Sequence, residues 1–462
     1  MRNFLVILIG LAAILSSPSQ AEDSKIYIDV GQAQIKKSLM ALTPLIYVGT
    51  QSTNAGHIST GQNLYRVIYN DLLVSGFFTF VNPDAYLEDP NKLGLRPAPE
   101  LANGFNYKNW QTIGTEFLVR AAYNVIGNDI TFEAYVYHVP TARPILGRTY
   151  KGSLNGLRKM GHTFANDLLK ALTGKRGMFV SKLVASRQEE PGKSAKEIYV
   201  MEWDGANAQK ISSHNSIALS PTWSTAGDKV AYTAFAFHKT NKVRNADLFI
   251  YELTTGKRFL TSYRKGMNSG AAFLPGDREL LLTLSQDGTP DIYRMSADGR
   301  DLTAITRGPN RAMNVEPAIS PDGKTIAFSS DRAGRPHIFL MNIDGSNVRR
   351  LTFAGKYNAS PAWSPDGKMI AFAGYDSDHF DIFVMNVNGS DLKRLTDARK
   401  PSGKPSNNES PSWSPDGRHI VFSSDRSGHL QLYIVNPDGT NERRITEDNF
   451  NWDKPKWSPF LD

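Results

Sequence analysis

The sequence predicts two parts: a smaller mixed α/β unit, followed by six copies of an all-β repeat. Two series of short motifs support the repeat. The motif Pro-x-Trp-Ser, or a degenerate form of it, recurs every 44 to 50 residues, as at Pro317, Pro361, Pro411 and Pro455. A second series of Asp-Gly, Asn-Gly or Thr-Gly turns, each followed by an aliphatic residue and Thr or Ser, has the same period. A repeat of this length, rich in strand formers and glycine turns, indicates a six-bladed β-propeller.

The first 21 residues have the pattern of a secretory signal peptide. Arg2 supplies a positive charge, Phe4–Leu15 is a short apolar run, and Ser19-Gln20-Ala21 offers small residues for cleavage. That run is too short to span a bilayer comfortably, and no other stretch reaches the roughly 20 apolar residues of a spanning helix. We therefore expect residues 1–21 to be removed, leaving a mature chain outside the cytoplasm with no transmembrane segment.

Composition excludes several classes of protein. The net charge of +8 is modest and spread along the chain, which gives no reason to expect nucleic-acid binding. The chain contains no cysteine, so disulfides, thiol chemistry and a lipid anchor on cysteine are all excluded. With 40% apolar and 21% charged residues, the chain is typical of a globular protein.

Residues 22–175 predict a mixed α/β domain. Its predicted elements are a strand at Lys25–Val30, a helix at Thr60–Ser75, strands at Phe117–Ala122 and Ile130–Val139, and a helix at Leu154–Leu172. His162 lies on the second helix, and a lone histidine in that position favours a structural role. The domain therefore predicts no chemistry of its own.

Residues 176–462 predict the propeller. The clearest repeat has strands at Pro317–Ile319, Thr325–Ser329, His337–Asn342 and Val348–Thr352, with Asp-Gly turns that favour type I′ hairpins. The two motif series are out of phase. The first glycine turn precedes the first Pro-x-Trp-Ser motif, and the last Pro-x-Trp-Ser motif has no further strands after it. A closed ring resolves this if Pro455–Pro459 joins the strands that begin at Met178 in one shared blade.

Large aromatic residues follow the repeated proline. We expect them to pack between blades, because each offers roughly 2–3 kcal/mol of burial. These residues are Trp223, Phe273, Trp363, Trp413 and Trp457.

An asparagine recurs three residues before the repeated motif. These residues are Asn268, Asn314, Asn358 and Asn408. They fall in loops on the same face as the loops that carry Asp331-Arg332 and Asp425-Arg426. Two interpretations remain open: the amides cap strand ends, or they form a ring of hydrogen-bonding groups around the channel mouth where a partner docks.

Catalytic motifs are missing from the sequence. It contains no G-x-S-x-G elbow, no H-E-x-x-H, no P-loop and no histidine cluster with metal-ligand spacing. We therefore expect no catalytic residue, no bound metal and no cofactor. A scaffold that binds proteins fits the pattern best.

The chain closely resembles the TolB family, periplasmic components of the Tol–Pal envelope system of Gram-negative bacteria. The most specific matches are the run from Leu157 to Phe179, the Pro-x-Trp-Ser-Pro-Asp-Gly repeats, and the closing Trp457-Ser458-Pro459-Phe460-Leu461. The resemblance covers nearly the whole mature chain. It implies a monomeric periplasmic adaptor without catalytic activity, which maintains outer-membrane integrity and helps the envelope constrict at division.

The resemblance also implies partners and contact residues. The propeller would bind the lipoprotein Pal, the N-terminal segment at residues 22–33 would bind TolA, and other outer-membrane or peptidoglycan-associated proteins are further candidates. The implied Pal-binding residues are Met267, Asn268, Asn314, Val315, Glu316, Asn358 and Asn408. The implied TolA-binding residues are Glu22, Asp23, Ser24, Lys25, Ile26, Tyr27, Ile28, Asp29 and Val30.

The N-terminal segment has two interpretations. As sequence, Lys25–Val30 is an ordinary first strand; by resemblance, it is a releasable peptide that binds TolA. Exchange between docked and released states would couple the two partners. Two functions from other classes stay open: a propeller-type uronate lyase, which needs histidines clustered inside the ring, and a sugar-binding propeller that uses its tryptophans.

Overall fold

The structure of the chain, a computed structural model, describes residues 36–50, 52–98, 100–239, 242–376 and 378–461. The predicted signal peptide, the segment 22–33 and the strand predicted at Lys25–Val30 lie outside these residues. Among the helices of the described part, none combines the length and the apolar character that a membrane crossing requires.

The N-terminal unit is a six-stranded mixed sheet with three helices. Its elements are β1 (Ser38–Leu42), β2 (Ile46–Tyr47), α1 (Ala55–Val74), β3 (Phe78–Phe80), α2 (Tyr107–Thr112), β4 (Phe117–Ile126), β5 (Asp129–His138), β6 (Arg143–Ser153) and α3 (Leu157–Thr173). The strand order is β3-β1-β4-β5-β6, with β2 beside β4. Strand β1 runs parallel to β3 and β4, whereas β4, β5 and β6 pair antiparallel.

Both predicted helices are present, with one corrected boundary. Helix α1 begins at Ala55, not at Thr60, because Asn54 caps it by accepting a hydrogen bond from the amide of His57. The Thr60 hydroxyl instead donates to the Gly56 carbonyl inside the helix. Helix α3 ends at Gly174, whose left-handed conformation matches the predicted stop.

Strand β6 was missed in the sequence. It is the edge of the sheet, and most of its side chains are exposed on both faces. The alternation of apolar and polar residues that marks a half-buried strand is therefore absent.

The propeller has six four-stranded antiparallel sheets. The first three strands of the propeller belong to blade 6, which the last strand of the chain completes. They are β7 (Lys182–Gln188), β8 (Lys196–Glu202) and β9 (Gln209–Lys210). Blades 1 and 2 are β10 (Ala218–Trp223), β11 (Lys229–His238), β12 (Val243–Glu252), β13 (Arg258–Ser262), β14 (Asn268–Phe273), β15 (Glu279–Leu284), β16 (Asp291–Ser296) and β17 (Leu302–Ala304).

The remaining blades follow in chain order. Blades 3 to 5 are β18 (Asn314–Ile319), β19 (Thr325–Ser330), β20 (His337–Asn342), β21 (Arg349–Arg350), β22 (Tyr357–Trp363), β23 (Met369–Tyr375), β24 (Phe380–Asn386), β25 (Lys393–Arg394), β26 (Asn408–Trp413), β27 (Ile420–Ser424), β28 (Gln431–Val435) and β29 (Arg443–Arg444). Strand β30 (Trp452–Trp457) pairs antiparallel with β7, which confirms the predicted closure of the ring.

Each blade has strands A to D from the channel outwards, and this order defines two faces. The A–B and C–D turns lie at one end of the strands, which we call the turn face. The B–C and D–A loops lie at the other end, which we call the loop face. The turns are not of the predicted type I′: Gly345 donates its amide to Asn342 O, and among the turn residues only Gly345 has positive φ. Type I′ would need positive φ at both central residues.

The aromatic residues that follow the repeated proline join neighbouring blades, as predicted. The indole N–H of Trp223 donates to Lys456 O, that of Trp363 to Ala318 O, and that of Trp413 to Ala362 O. Each acceptor lies on the A strand of the preceding blade. These indoles are therefore used inside the fold, which removes support for a sugar-stacking surface built from them.

Candidate docking face of the propeller

The N-terminal unit covers part of the turn face through charged side chains that are buried or half-buried. Arg158 on α3 donates to Glu202 (2.5 Å) and to Asp204 (2.6 Å), both at the C–D turn of blade 6. His162, one helical turn further, contacts Asp71 Oδ2 on α1 (2.7 Å) and Glu202 Oε2 (3.3 Å). Since both ring nitrogens face carboxylates, the imidazole is held in its protonated form.

Ionisation at this junction follows from burial and charge. Burial would lower the pKa of His162, but the Asp71 and Glu202 carboxylates outweigh it and raise that pKa to about 9. Burial raises the pKa of Asp71 to about 6. Burial also opposes ionisation of Glu202, yet hydrogen bonds from His162 and Arg158 lower its pKa to about 2. The prediction that His162 is structural therefore gains a physical basis.

Blade 5 makes a second contact with the same unit. Arg418 donates to the carbonyl of Ser75 (3.1 Å) and lies over the ring of Phe77, at 4.0 Å from its centroid. His419 Nε2 lies 3.1 Å from the carbonyl of Val74. These side chains lie at the carbonyl groups that the C-terminal end of α1 leaves without helical partners, so blade 5 caps the end of the helix.

His162, Glu202 and Asp204 could offer three ligand atoms to a metal ion, the one such grouping among the described residues. Arg158 already pairs with both carboxylates there. The grouping lies at the junction, not inside the ring where a lyase metal was expected. It gives no support to the lyase alternative.

The loop face contains the predicted asparagines, and the structure places all four side chains inside it, with at most 2% exposed. Asn268 Nδ2 donates to the carbonyls of Ala246 (2.9 Å) and Arg264 (2.6 Å), and its Oδ1 accepts from the Ser262 hydroxyl (2.6 Å). Asn358 donates to the carbonyl of Ala354. These amides fix the loops from below, as the strand-capping interpretation expects.

Asn314 and Asn408 have the same set of partners in blades 3 and 5. Their amide nitrogens donate to Asp291 and Asp381 (2.8 and 2.9 Å). Their amide oxygens accept from Arg332 and Arg426 (2.6 and 2.8 Å). The recurrence of Asp-Arg in the B–C loops was visible in the sequence, whereas Asp291 and Asp381 were missed. Spacing does not show that an aspartate at the start of strand C reaches the asparagine of the next blade.

The other predicted contact residues differ in accessibility. Met267 is 40% exposed on the loop face, and its amide donates to Ser285 Oγ (2.8 Å). Val315 is half-buried in β18. Glu316 lies in the wall of the central channel, where its carboxylate accepts from the amide of Ser360 (2.8 Å). Of the predicted residues, Met267 is therefore the most available to a partner. Glu22 to Val30 lie outside the described residues.

The channel is lined by a ring of backbone irregularities. One residue of each A strand has a φ between +50° and +61°, at a β-bulge where the register with strand B shifts. These residues are Ser220, Gly270, Glu316, Ser360, Ser410 and Lys454. They line a cavity of about 250 Å³ together with Lys456, whose pKa burial lowers to about 8. This ring could not be predicted from the sequence, because five of its six residues are not glycine.

Two family models match the chain. The TolB beta propeller domain matches residues 169–461, and the TolB amino-terminal domain matches residues 27–145. The chain belongs to the TolB family. The predicted resemblance and the predicted fold class, an α/β unit before a six-bladed propeller, are thereby confirmed.

Relatives agree with this TolB assignment, and a solved structure has the same fold. Two proteins named "Tol-Pal system protein TolB" are 33% identical over 250 residues (Desulfosudis oleivorans, 54% of each chain) and 36% identical over 233 residues (Syntrophotalea carbinolica, 50% of each chain). The chain thus spans about half the length of these relatives. The crystal structure of TolB from Acinetobacter baumannii aligns with a TM-score of 0.75 at 24% identity, covering 94% of this chain and all of that one.

Proposed function

We propose that this chain is a non-enzymatic periplasmic adaptor of the Tol–Pal system. In this proposal residues 22–175 and 176–462 form its two domains after removal of residues 1–21. The loop face of the propeller binds the lipoprotein Pal, and residues 22–33 bind TolA. The observation that carries the proposal is the open loop face: the N-terminal unit is bonded to the opposite face, so a second protein has a rigid surface to dock on.

Within this proposal the predicted residues have different roles. Met267 contacts Pal directly, because it is the most exposed of them. The buried asparagines Asn268, Asn314, Asn358 and Asn408 position the loops, since their amides are already engaged by neighbouring groups. Glu316 lies in the channel wall, and Val315 precedes it on β18.

The direct test is a calorimetric titration of soluble Pal from the same organism into the mature protein. We expect saturable one-to-one binding that weakens about tenfold in Met267→Asp, because the new charge is desolvated at the interface. The matched control is Val348→Asp, which alters another exposed apolar residue, 41% exposed and directly before strand D of blade 3 on the turn side. Absence of Pal binding to the folded protein would overturn the proposal.

The proposed TolA segment needs its own test. Deletion of residues 22–33 should abolish binding of soluble TolA while leaving Pal affinity within about twofold or raising it. If the two sites are coupled through docking and release of the segment, saturating Pal also changes both TolA affinity and the protease sensitivity of residues 22–33. Unchanged TolA affinity in the presence of Pal would refute the coupling.

A further inference from the structure

The loop face is divided by charge. The loops of blades 1 to 3, with the hairpin of blade 1, form what we call the basic half. It contains Lys239, Lys242, Arg244, Arg264, Lys265, Arg307, Arg311, Arg332, Arg335 and Lys356. Its loop carboxylates are Asp287 and Asp331, which accept hydrogen bonds from the Tyr293 hydroxyl and the Met313 amide. Positive charge therefore dominates this half of the face.

The corresponding loops of blades 4 to 6 form the mixed half, where the balance is reversed. Its carboxylates are Glu189, Glu190, Asp376, Asp378, Asp397, Asp425, Glu447 and Asp448, and its cations are Lys193, Arg399, Lys400, Lys404 and Arg426. Three of these cations form ion pairs, as Lys400 does with Asp425 at 2.6 Å. In the basic half, by contrast, none of the lysines and arginines pairs with a carboxylate of the described residues; the hairpin carboxylate Asp247 contacts His238 Nε2 at 2.6 Å.

Exposed apolar side chains are added to the basic half by one long hairpin. Strands β11 and β12 have ten residues each, whereas strand B of the other blades has five to seven. The extra length carries Phe235, Phe237 and Val243, all exposed, beyond the rest of the blade. The hairpin adjoins the predicted contact residue, because Ala246 forms a bridge with Met267.

We infer that the basic half docks an acidic protein surface, with Phe235, Phe237 and Met267 as its apolar anchors. This inference rests on the proposed function and specifies the partner's chemistry. Unpaired cations around exposed aromatic rings complement carboxylates around an apolar patch. Protein interfaces are enriched in Arg, Phe, Tyr and Met, which favours a protein over a lipid surface. Six of the ten cations are arginine, whose planar guanidinium binds a carboxylate through two hydrogen bonds.

The test uses two double variants that remove the same charge from the same face. Arg307→Glu with Arg335→Glu alters the basic half; Arg399→Glu with Lys404→Glu alters the mixed half. All four side chains are exposed. The association rate of soluble Pal is measured by stopped flow at 50 and 300 mM NaCl. The wild-type rate should fall about tenfold with salt, because surface charge steers association.

We expect the basic-half variant to associate about tenfold more slowly at 50 mM NaCl and to lose most of its salt dependence. The mixed-half variant should stay within about twofold of wild type. Equal effects of the two variants, or a wild-type rate that ignores salt, would overturn the inference.

A second probe separates this inference from the proposed function. Poly-L-glutamate is titrated into the same proteins, with phosphatidylglycerol vesicles in parallel. If Pal fails to bind but poly-L-glutamate binds and only the basic-half variant loses it, the proposed function fails and the acidic-partner inference stands. If both variants bind poly-L-glutamate equally well, the acidic-partner inference is contradicted. A third outcome is that the protein binds the vesicles but not poly-L-glutamate, and that only the basic-half variant loses vesicle binding. In that case the partner of the basic half is a membrane and not a protein.

The apolar anchors predict a different kinetic change. Phe235→Ser with Phe237→Ser should raise the dissociation rate of Pal about tenfold and leave the association rate within about twofold, since apolar contacts form after encounter. Phe259→Ser on β13 is the control, because Phe259 is 51% exposed and Phe237 is 55% exposed. Equal dissociation rates for the double variant and the control would remove the anchors from the inference.

Discussion

The two faces of the propeller use the same kinds of side chain in opposite ways. On the turn face, the half-buried Arg158 and the buried His162 engage carboxylates of both units at the junction. On the loop face, Arg307 and Arg335 are exposed and have no ion pair among the described residues. Buried, paired charges belong to a contact that stays formed, whereas unpaired ones are available to an exchanging partner.

Apolar residues show the same contrast. On the turn side a single apolar core runs from α1 and α3 into blade 6 and includes Phe179, Trp203 and Trp457. On the loop face Phe235 and Phe237 stand in solvent. The core makes the N-terminal unit and the propeller one packed body at that face, whereas the exposed parts of the Phe235 and Phe237 rings add little to the packing of the described chain.

The largest expected effect is at the junction. Arg158→Ala leaves the half-buried Asp204 without its cation and leaves Glu202 with His162 as its remaining cation, so we expect the free energy of unfolding in urea to fall by about 2–3 kcal/mol. The control Arg300→Ala removes an exposed pair with Asp298 and should change it by no more than about 0.5 kcal/mol. A loss below about 1 kcal/mol for Arg158→Ala would mean that the junction does not depend on paired charge.

The second effect is a pH dependence at the same face. The pKa of His162 is about 9 in the folded protein and about 6.5 when unfolded, so protonation stabilises the fold fully below 6.5. That share is lost as pH rises through about 9, and we expect a fall of about 2 kcal/mol between pH 7 and pH 10.

His162→Gln is the matched variant for this pH dependence. It should be less stable at pH 7 and should show a flatter profile across the same range, because lysine and tyrosine titration affects both proteins alike. Parallel profiles for the variant and the wild type would show that His162 is not the titrating group.

The propeller could be predicted from the sequence because its determinants are local. The repeated Pro-x-Trp-Ser and the glycine turns set the blades, and their phase difference revealed the closure of β30 onto β7. The junction could not be predicted. His162 was recognised as structural, but its partner Glu202 belongs to another unit, and no periodicity relates α3 to the C–D turn of blade 6.

The candidate docking face was harder to predict than the blades. The recurrence of the asparagines was visible in the sequence. Whether an amide binds a partner or hydrogen-bonds within the chain depends on its burial, and the burial depends on how the loops pack. The long hairpin of blade 1 contains Phe235 and Phe237 at alternate positions, as any half-buried strand could. Their exposure follows from the shortness of the neighbouring loops.

The third prediction concerns the support beneath the loop face. Asn314→Ala leaves Asp291 and Arg332 each without one hydrogen-bond partner, so we expect a loss of about 1–2 kcal/mol in the free energy of unfolding. Asn449→Ala, at an exposed position of a loop on the same face, should have no measurable effect. If the two variants are equally stable, the buried amide does not support the loops. The alternative interpretation, in which Asn314 hydrogen-bonds a docked partner, would then be favoured.

The smallest expected effect is at the exposed hairpin. Phe237→Ser should change the free energy of unfolding by no more than about 0.5 kcal/mol, because Phe237 remains 55% exposed in the folded chain. Urea unfolding of the two proteins, with matched circular dichroism spectra, checks this. A loss above about 1 kcal/mol would show that the ring supports the hairpin itself. A negligible loss leaves an aromatic side chain that the fold does not need, on the face where a partner would use it.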